Sequence, residues 1–374
     1  MQNPKEKIYS ILTDLASDMN LGVGNFSVER PKEQQHGDFA SNISLVFSKT
    51  SRRNPLDLAG EIADKLNNSQ KNSDLFAKIE AVKPGFINFY LSNNYLASQI
   101  KDIIEKNNSY GSLDLGKNKK ASVEYVSANP TGPLHIGNAR GGPLGDTIAN
   151  VLVKAGYKVK REYLHNDVGG QIEKLGEAIY FQLYPEQKTK EEQVQYQGDY
   201  IQELAQEVNK ALGKDNFSKE EFVKKAGQIA VEKLLEEIIK DTKDMGISYD
   251  SVTKESQLRE QVPQVLEILK KSLKEKEGAL WFAPNDEFLK DRETVVKKSD
   301  GEYTYFASDI AYHNQKMSQN DIVVDILGSN HSGHVPKLQA IVKSLGFDTN
   351  NFKVVLYQYV RLKRGQEVVN MSKR

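Results

Sequence analysis

The sequence of 374 residues contains no cysteine. This absence excludes disulfide bonds and thiolate metal sites, and it fits a protein of a reducing compartment. No apolar run approaches the roughly 18 residues of a membrane-spanning helix, and the polar start lacks the apolar core of a signal peptide. We therefore expect a cytoplasmic protein that has no membrane partner.

The sequence also lacks net charge. Lysine plus arginine and aspartate plus glutamate both total 51, so no overall field favours a nucleic acid or a membrane as partner. Any such preference must come from local charge. With 38% hydrophobic residues, the chain is long enough to build a sizeable core, and its length predicts two or more folding units.

The succession of helix-like and strand-like segments in residues 1–108 predicts a small α+β domain. Asn3 and Pro4 suit the N-cap and the first position of an opening helix. The segments "GDFASNISLVFSK" and "NPLDLAGEIADKL" are both helix-like, and "AKIEAV" and "GFINFYLS" are strand-like. Residues 109–120 are rich in Asn, Gly and Lys without an apolar periodicity, which is typical of a linker.

Residues 121–374 alternate strands with helices, a pattern that favours an α/β fold with a Rossmann-like, doubly wound parallel sheet. The predicted strands include "ASVEYVS", "KVKREYLHND", "GALWF", "DIVVDIL" and "FKVVLYQYV". An unusually charged stretch with helical periodicity, residues about 184–275, interrupts this alternation. We interpret that stretch as a helical insertion in the sheet domain.

A lone histidine, His135, lies in the loop "NPTGPLHIGN" between a predicted strand and a helix. In doubly wound sheets, ligands bind beyond the carboxyl ends of the strands, where helix N-termini favour phosphate groups. Gly132 and Gly137 would let the backbone approach a nucleotide closely. His135 could then donate a hydrogen bond to a phosphoryl oxygen whose charge grows in the transition state. Considered without its neighbours, it could equally be a polar surface residue.

Several segments together carry a family resemblance. "HIGN" resembles the HIGH element of class I aminoacyl-tRNA synthetases, and "MSKR" resembles their KMSKS loop. The longer segments "SANPTGPLHIGNARG", "REYLHNDVGGQIEKLG", "YTYFASDIAYH" and "VRLKRGQEVVNMSKR" resemble arginyl-tRNA synthetases. "HGDFASNISLVFSK" and "VKPGFINFYLS" are similar to the N-terminal domain of that family, which contacts tRNA. The resemblance extends over essentially the whole chain.

The resemblance implies a class I synthetase fold and a two-step reaction. Arginine and ATP would give arginyl-adenylate and pyrophosphate, and the arginyl group would pass to the terminal ribose of tRNA(Arg). Its implied substrates are L-arginine, ATP with Mg²⁺, and tRNA, with no tightly bound protein metal, and we expect a monomer. Such chemistry depends on placement and charge stabilisation.

An arginine substrate requires carboxylates and amide oxygens that match its planar guanidinium. The family's arginine-binding positions correspond to Glu124, Asn129, His135, Tyr305 and Asp309. Tyr305 and Asp309 are spaced i and i+4, so they would share one helical face. Asp309 could instead cap a helix and Tyr305 could be a core aromatic, whereas a charge at Glu124 inside a buried strand is harder to explain without a ligand.

The resemblance also implies a nucleotide site and three catalytic residues. His135, Asn138 and Lys373 are the catalytic candidates. The residues expected to bind ATP are Thr131, Gly132, His135, Gly137, Asn138, Asn330, His331, Met371, Ser372 and Lys373. Lys373 would act on the phosphates as a mobile point charge, although a lysine near a chain end could simply be solvated.

Three positions depart from the family pattern. Asn138 replaces the second histidine of HIGH, and its amide can donate a hydrogen bond but cannot carry a positive charge. "GSNHSGH", residues 328–334, stands where many relatives have a segment like "GADHHGY". Asn370 replaces the first lysine of KMSKS.

Other interpretations remain open at the level of sequence. The chain could be a catalytically weak or silent fragment or relative that binds arginine or tRNA. It could also be another HIGH-type transferase acting on a small acid, although Glu124 and Asp309 would repel an anion. Glutamyl and glutaminyl relatives share the sheet but should lack the "HGDFASN" domain. Because the family's C-terminal anticodon-binding domain is absent, we expect arginine binding but poor charging of tRNA.

Overall fold

The chain divides into two compact units, Met1–Gly111 and Ser112–Arg374. The computed structural model describes residues 3–22, 24–189, 193–213, 217–289, 292–358, 360, 362–365 and 367–369. Among the helices in these ranges, none is long and apolar enough to cross a membrane.

In the described residues, the first unit packs three α-helices around a core with a four-stranded antiparallel sheet, whose strands, numbered in chain order, are arranged β1-β2-β4-β3, and a fourth helix has no buried residue. Asn3 caps the first helix, as its sequence position predicts, because its Oδ1 accepts a hydrogen bond from the backbone N of Lys5 at 3.1 Å. The elements are α1 (Pro4–Asp18), β1 (Val28–Glu29), β2 (Phe39–Ser41), α2 (Ile43–Ser51), α3 (Pro55–Asn67), β3 (Phe76–Val82), β4 (Phe86–Leu91) and α4 (Asn93–Lys106).

The segment "GDFASNISLVFSK" is not helical throughout, which corrects one expectation. Its first part pairs as β2, and the helix begins only at Ile43. Asn42 accepts a hydrogen bond from the backbone N of Ser27 at 2.7 Å, and the Ser41 hydroxyl donates to the Ser27 carbonyl at 2.8 Å. These bonds hold the chain beside β1, so local helical periodicity gives way to sheet pairing.

The second unit contains the remaining helices and strands. They are β5 (Lys120–Glu124), α5 (Ile136–Ala139), α6 (Gly141–Lys154), β6 (Lys158–His165), α7 (Gly170–Leu183), α8 (Asp199–Leu212), α9 (Lys219–Asp244), β7 (Ser251–Lys254), α10 (Glu255–Ile268), β8 (Leu273–Lys276), β9 (Ala279–Phe282), β10 (Thr294–Lys297), α11 (Tyr305–Gln319), β11 (Ile322–Gly328), α12 (Val335–Ser344), β12 (Phe352–Tyr357), β13 (Leu362–Arg364) and β14 (Glu367–Val369).

A five-stranded, all-parallel sheet of order β12-β11-β5-β6-β7 forms the centre of this unit. Apolar clusters cover both faces, one built largely from α10, α11 and α12 and the other including α6. The strand order reverses between β5 and β11, so the chain winds outward in both directions from this pair. In doubly wound sheets, that reversal opens the crevice in which ligands bind.

The segment "GALWF" forms a strand, but this strand does not belong to the parallel sheet. β9 pairs antiparallel with β8 on one side and with β10 on the other, in a separate three-stranded sheet. Phe282 at its end is fully buried against Phe306 of α11, with ring centroids 5.6 Å apart. A short apolar run predicts a strand and leaves its sheet undetermined.

Helices α7, α8 and α9 share an apolar core of their own. The charged stretch is thus a helical layer, which ends at Asp244. The sequence predicts that the insertion continues to about residue 275. The residues after Asp244 instead form β7, at the edge of the parallel sheet, and α10, which packs in the core of α11 and α12. A four-residue edge strand is too short for an alternation of apolar and polar residues to be recognised in a highly charged sequence.

Two glycines allow α7 and α9 to cross closely. A Cβ on Gly176 would lie 2.0 Å from the carbonyl oxygen of Val223, and one on Gly227 would lie 2.5 Å from that of Ile172. Both obstacles are backbone atoms, which cannot move aside without separating the helices. The crossing therefore requires glycine at both positions.

We expect Gly227→Ala to destabilise the chain by about 1 to 3 kcal/mol, because the added methyl group overpacks this crossing. Gly170→Ala is a matched control at the start of α7, where an added Cβ meets nothing within 4 Å. Urea unfolding of the two variants measures the difference. Equal stability of both variants would contradict the close crossing.

Candidate active site at the carboxyl ends of β5 and β11

Two acidic side chains lie next to each other where the strand order reverses. Glu124 is the last residue of β5 and is paired in register with Asp325 of β11. Both are buried, with Glu124 6% and Asp325 2% exposed. Because neighbouring residues of parallel strands face the same side of the sheet, the register alone brings the two carboxylates together.

A single buried lysine bridges the two carboxylates. Lys316 Nζ on α11 donates to Glu124 Oε2 at 2.7 Å and to Asp325 Oδ1 at 2.6 Å. Its side chain is 1% exposed. The ammonium group also lies 4.2 Å from the ring centroid of Tyr312, a cation–π contact. One ammonium group thus bonds to two carboxyl groups in a buried site.

The two carboxylates respond differently to this shared cation. Burial raises the pKa of Glu124, and the attraction of Lys316 does not fully offset it. Burial also opposes ionisation of Asp325, but the charge of Lys316 and the hydrogen bond with His313 lower the pKa of Asp325 to about 2. Although burial works against it, the charges of Asp325 and Glu124 hold the pKa of Lys316 above its ordinary value.

His313 connects this cluster to the backbone of α11. Its Nε2 lies 2.9 Å from Asp325 Oδ2, and its Nδ1 lies 2.8 Å from the carbonyl oxygen of Asp309. Asp325 therefore has a partner on each oxygen, Lys316 on one and His313 on the other. Two bonds to different atoms fix the plane of the Asp325 carboxylate.

The loop after β5 has a constrained backbone. Val126 and Ser127 both have positive φ, 68° and 36°, in residue types for which this region is sterically costly. The Ser127 hydroxyl donates to Glu124 Oε1 at 2.8 Å and accepts from the backbone N of Leu164 at 3.0 Å. The unusual backbone is thus held by contacts with β5 and β6, and it turns the loop over the strand ends.

The predicted nucleotide residues follow in this loop. Thr131 and Gly132 are buried, Asn129 is exposed, and the carbonyl of Thr131 accepts a hydrogen bond from the hydroxyl of Tyr200 at 3.2 Å. The side chain of Asn129 approaches that of Gln171 on α7, at 3.5 Å. This loop therefore lies between the sheet and the helical layer.

His135 caps the short helix α5. Its Nδ1 accepts a hydrogen bond from the backbone N of Asn138 at 3.3 Å, which places the proton of a neutral ring on Nε2. Gly137 is buried within this turn, and the carbonyl of Asn138 accepts from the Tyr357 hydroxyl at 3.4 Å. His135 is half-buried, so its ring orientation is set by the helix that it caps.

Tyr305 and Asp309 share one face of α11, as their spacing predicts. Asp309 is buried at 3% exposure, and its Oδ2 lies 3.0 Å from Nε2 of His334. Tyr305 is 48% exposed, so it is not a core aromatic. The negative charge of Asp309 raises the pKa of the Tyr305 phenol, and burial of the hydroxyl and the charge of Glu124 add to this effect.

Sequence reasoning missed Glu255, a further buried acid next to Asp309. Glu255 Oε1 accepts from the Ser308 hydroxyl at 3.0 Å and from Arg259 Nη2 at 3.1 Å, and Oε2 accepts from Asn166 at 3.0 Å. Burial raises its pKa, and Arg259 opposes that shift. The signal in the sequence was weak, because Glu255 begins a helix in a stretch rich in exposed charges.

The remaining predicted residues lie just beyond β11, where the charge of Asp309 acts on His331, or outside the described structure. Asn330 and His331 form a short helical turn after β11 and are exposed. Met371, Ser372 and Lys373 lie outside the described residues, as does Asn370. The structure therefore brings together the acids Glu124 and Asp309 around α11. Across the described residues, no group of three or more His, Asp or Glu side chains could hold a metal ion.

This arrangement suits a cationic ligand beside a nucleotide. Buried carboxylates lie at the carboxyl ends of β5 and β11, where ligands bind in doubly wound sheets, and a glycine-containing loop with a histidine donor follows β5 at the same edge. Glu124 and Asp325 share Lys316, Glu255 is paired with Arg259, and Asp309 lies beside His334, so each of these buried acids has a protein partner.

Comparisons with known proteins agree with this fold. Residues 99–373 match the family model "tRNA synthetases class I (R), catalytic domain", and residues 2–91 match "Arginyl tRNA synthetase N terminal domain". The fold and the loop containing His135 are thus those of a class I aminoacyl-tRNA synthetase.

Curated relatives define the family more narrowly. The arginine–tRNA ligase of Caldanaerobacter subterraneus is 40% identical, with 100% of this chain and 69% of the relative covered. That of Carboxydothermus hydrogenoformans is 38% identical over 93% of this chain and 63% of its own length. The chain belongs to the arginyl-tRNA synthetase family, and it spans about two-thirds of the length of the curated relatives that it matches.

Solved structures show the same fold. A Campylobacter jejuni protein described as an arginyl-tRNA synthetase superimposes with a TM-score of 0.66 at 35% identity, over 75% of this chain and 64% of that one. The arginyl-tRNA synthetase of Thermus thermophilus gives a TM-score of 0.59 at 20% identity, over 95% and 65% of the two chains.

His165, at the carboxyl end of β6, predicts a pH effect on stability. It is fully buried, its Nε2 is 3.8 Å from Glu232, and neither ring nitrogen has a hydrogen-bond partner among the described residues. Burial lowers its pKa despite Glu232, so below about pH 6.5 the unfolded chain binds the proton more readily. Stability should therefore fall with pH below that value, by at most about 1.4 kcal/mol per unit from this group.

Urea unfolding between pH 7.5 and 5 should show a shallower pH dependence for His165→Phe than for the unmodified chain. His36→Phe is the control, because His36 is an exposed histidine of the other unit. An identical slope in His165→Phe and the unmodified chain would contradict the buried neutral histidine.

Proposed function

We propose that the chain activates L-arginine with ATP and transfers the arginyl group to the 3′ end of tRNA(Arg). The arginine carboxylate would attack the α-phosphorus and release pyrophosphate, and a ribose hydroxyl would then attack the carbonyl and release AMP. The observation that supports this proposal most is the pair of buried acids, Glu124 and Asp309, near the strand-order reversal of a class I synthetase fold.

The acids account for a preference for a cationic amino acid. A guanidinium group has five donors in one plane, and carboxylates bind it through paired hydrogen bonds. Asp309 and Tyr305 lie on one face of α11, and Glu124 lies at the end of β5. Asn129 would add an amide from the loop after β5, and His135 would contact the reacting end of arginine.

ATP with Mg²⁺ would bind along the loop that contains His135. Gly132 and Gly137 permit close approach of a phosphate, and Nε2 of His135 would donate to a phosphoryl oxygen. Asn138 would contribute an amide donor in place of a cation. Thr131, Asn330 and His331, together with Met371, Ser372 and Lys373 of the "MSKR" segment, complete the proposed nucleotide site, and the protein supplies no tightly bound metal.

The proposed partners follow from the same family. Residues 1–108 would form a tRNA-contacting domain, 109–120 a linker, and 121–374 the catalytic domain. The near balance of charge in residues 1–108 favours recognition of tRNA through shape and hydrogen bonds, with a modest phosphate component. We propose a cytoplasmic monomer.

Substituting Asp309 by its amide should weaken arginine binding by about 2 to 5 kcal/mol, because a charge-assisted pair is lost in a buried site. Asp348→Asn is the matched control, since Asp348 is exposed and only caps a turn. Isothermal titration calorimetry with arginine measures both. If Asp309→Asn binds arginine like the unmodified chain, the guanidinium site is wrongly assigned.

Replacing His135 should affect the rate of adenylation more than the affinity for ATP. His135→Ala should raise the barrier by roughly 2 to 4 kcal/mol while ATP binding stays nearly unchanged. His135→Gln retains a donor near the position of Nε2 and should lose less. Arginine-dependent ATP–pyrophosphate exchange, with and without tRNA, gives the rate; equal losses in ATP affinity and rate would refute a role in the transition state.

A further inference from the structure

We propose that Lys316 is a positioning residue of the arginine site, which holds the Glu124 carboxylate ionised and oriented through its bridge to Asp325. Lys316 itself would not touch arginine. This inference rests on the proposed role of Glu124 in binding arginine, and it adds a residue that neither the sequence pattern nor the family resemblance assigned.

The contacts of Glu124 support a positioning role. Both of its oxygens have a protein donor, Ser127 Oγ on Oε1 at 2.8 Å and Lys316 Nζ on Oε2 at 2.7 Å. These two bonds fix the rotation of the carboxylate, and a carboxylate oxygen can accept a second hydrogen bond. A ligand cation can therefore approach Glu124 without displacing Lys316.

The position of Lys316 on α11 connects it to the other half of the site. Lys316 follows Asp309 by seven residues, so both lie on the same face of the helix, two turns apart. Lys316 donates to Asp325, and Asp325 is also bonded to His313. The other ring nitrogen of His313 is bonded to the carbonyl of Asp309. The same helix thus carries Asp309 directly and controls Glu124 through Lys316.

The groups that face Glu124 come from every element packed around it. On α11 these are Lys316, Tyr312, Tyr305 and Asp309; on β11 it is Asp325, with His313 behind it; and on β6 it is Glu162, whose charge also acts on Tyr312. Lys160 is paired with Glu162 rather than with Glu124. Lys316 is the cation in direct contact with Glu124.

The electrostatics give the direction of the effect. Burial raises the pKa of Glu124, and Lys316 opposes that rise. Removing the ammonium should raise this pKa further, so that a smaller fraction of Glu124 is ionised at a given pH. Each unit by which its pKa exceeds the solution pH lowers the ionised fraction, and hence the affinity for a cation, about tenfold. The affinity should recover as pH rises through the new pKa.

The test compares Lys316→Met with the double variant Lys316→Met/Asp325→Asn in the full chain. The single variant leaves two buried carboxylates without their cation, which destabilises the fold, whereas the double variant removes one negative and one positive charge together. Lys343→Met is the control, because Lys343 is paired with Glu287 at the surface. Glu124→Gln identifies the Glu124 signal in carbon-13 spectra of carboxyl-labelled glutamate and its share of arginine binding.

We expect the double variant to fold, to bind arginine about tenfold or more weakly at pH 7, and to regain affinity towards pH 9. The Glu124 carboxyl signal should titrate at higher pH than in the unmodified chain without any arginine present. Parental affinity with a parental pH profile, or an unchanged Glu124 titration, would overturn the proposal. If Glu124→Gln binds arginine normally, the proposed arginine site is wrong, while the carboxyl titration still decides whether Lys316 controls Glu124.

Discussion

The architecture of the site depends on one buried lysine shared by two carboxylates. Parallel pairing of β5 and β11 places Glu124 and Asp325 side by side, and their mutual repulsion without solvent would destabilise the sheet at its centre. Lys316 of α11 bonds to both. The helix that carries Asp309 is therefore tied to the two strands between which the strand order reverses.

The other buried acids of the site are also paired with protein side chains, but not with a lysine. Asp309 is next to His334, and Glu255 is next to Arg259. His334 and Arg259 are partly exposed, while Lys316 is almost fully buried. An incoming cation could compete with the exposed partners more readily than with Lys316. This difference is consistent with the proposed arginine site, in which a cation would replace the exposed partners and leave Lys316 in place.

The backbone around the site also includes sterically unfavourable conformations, and hydrogen bonds or close packing stabilise them. Val126 and Ser127 have positive φ directly after Glu124, and Ser127 is fixed by hydrogen bonds to Glu124 and Leu164. Behind the loop, α7 approaches α9 so closely that only glycine fits at Gly176 and Gly227. The first feature shapes the loop directly after Glu124, and the second sets the packing of the helical layer.

The sequence by itself determined the parallel α/β class, the α+β unit before it, the family and the position of His135 at a strand-to-helix loop, because periodicity and contiguous motifs are local. It also placed Tyr305 and Asp309 on one helical face, since a spacing of four residues suffices for that. Only the tertiary structure decided that "GALWF" belongs to a separate antiparallel sheet and that residues 251–254 join the parallel one. It alone revealed Glu255, Asp325 and Lys316 around the predicted acids. The physical reason is that strand partners and buried ion pairs join distant residues. Asp325 is paired in register with Glu124, 201 positions away, and Lys316 bonds to Glu124 across 192 positions, and no local pattern records which distant charge neutralises which.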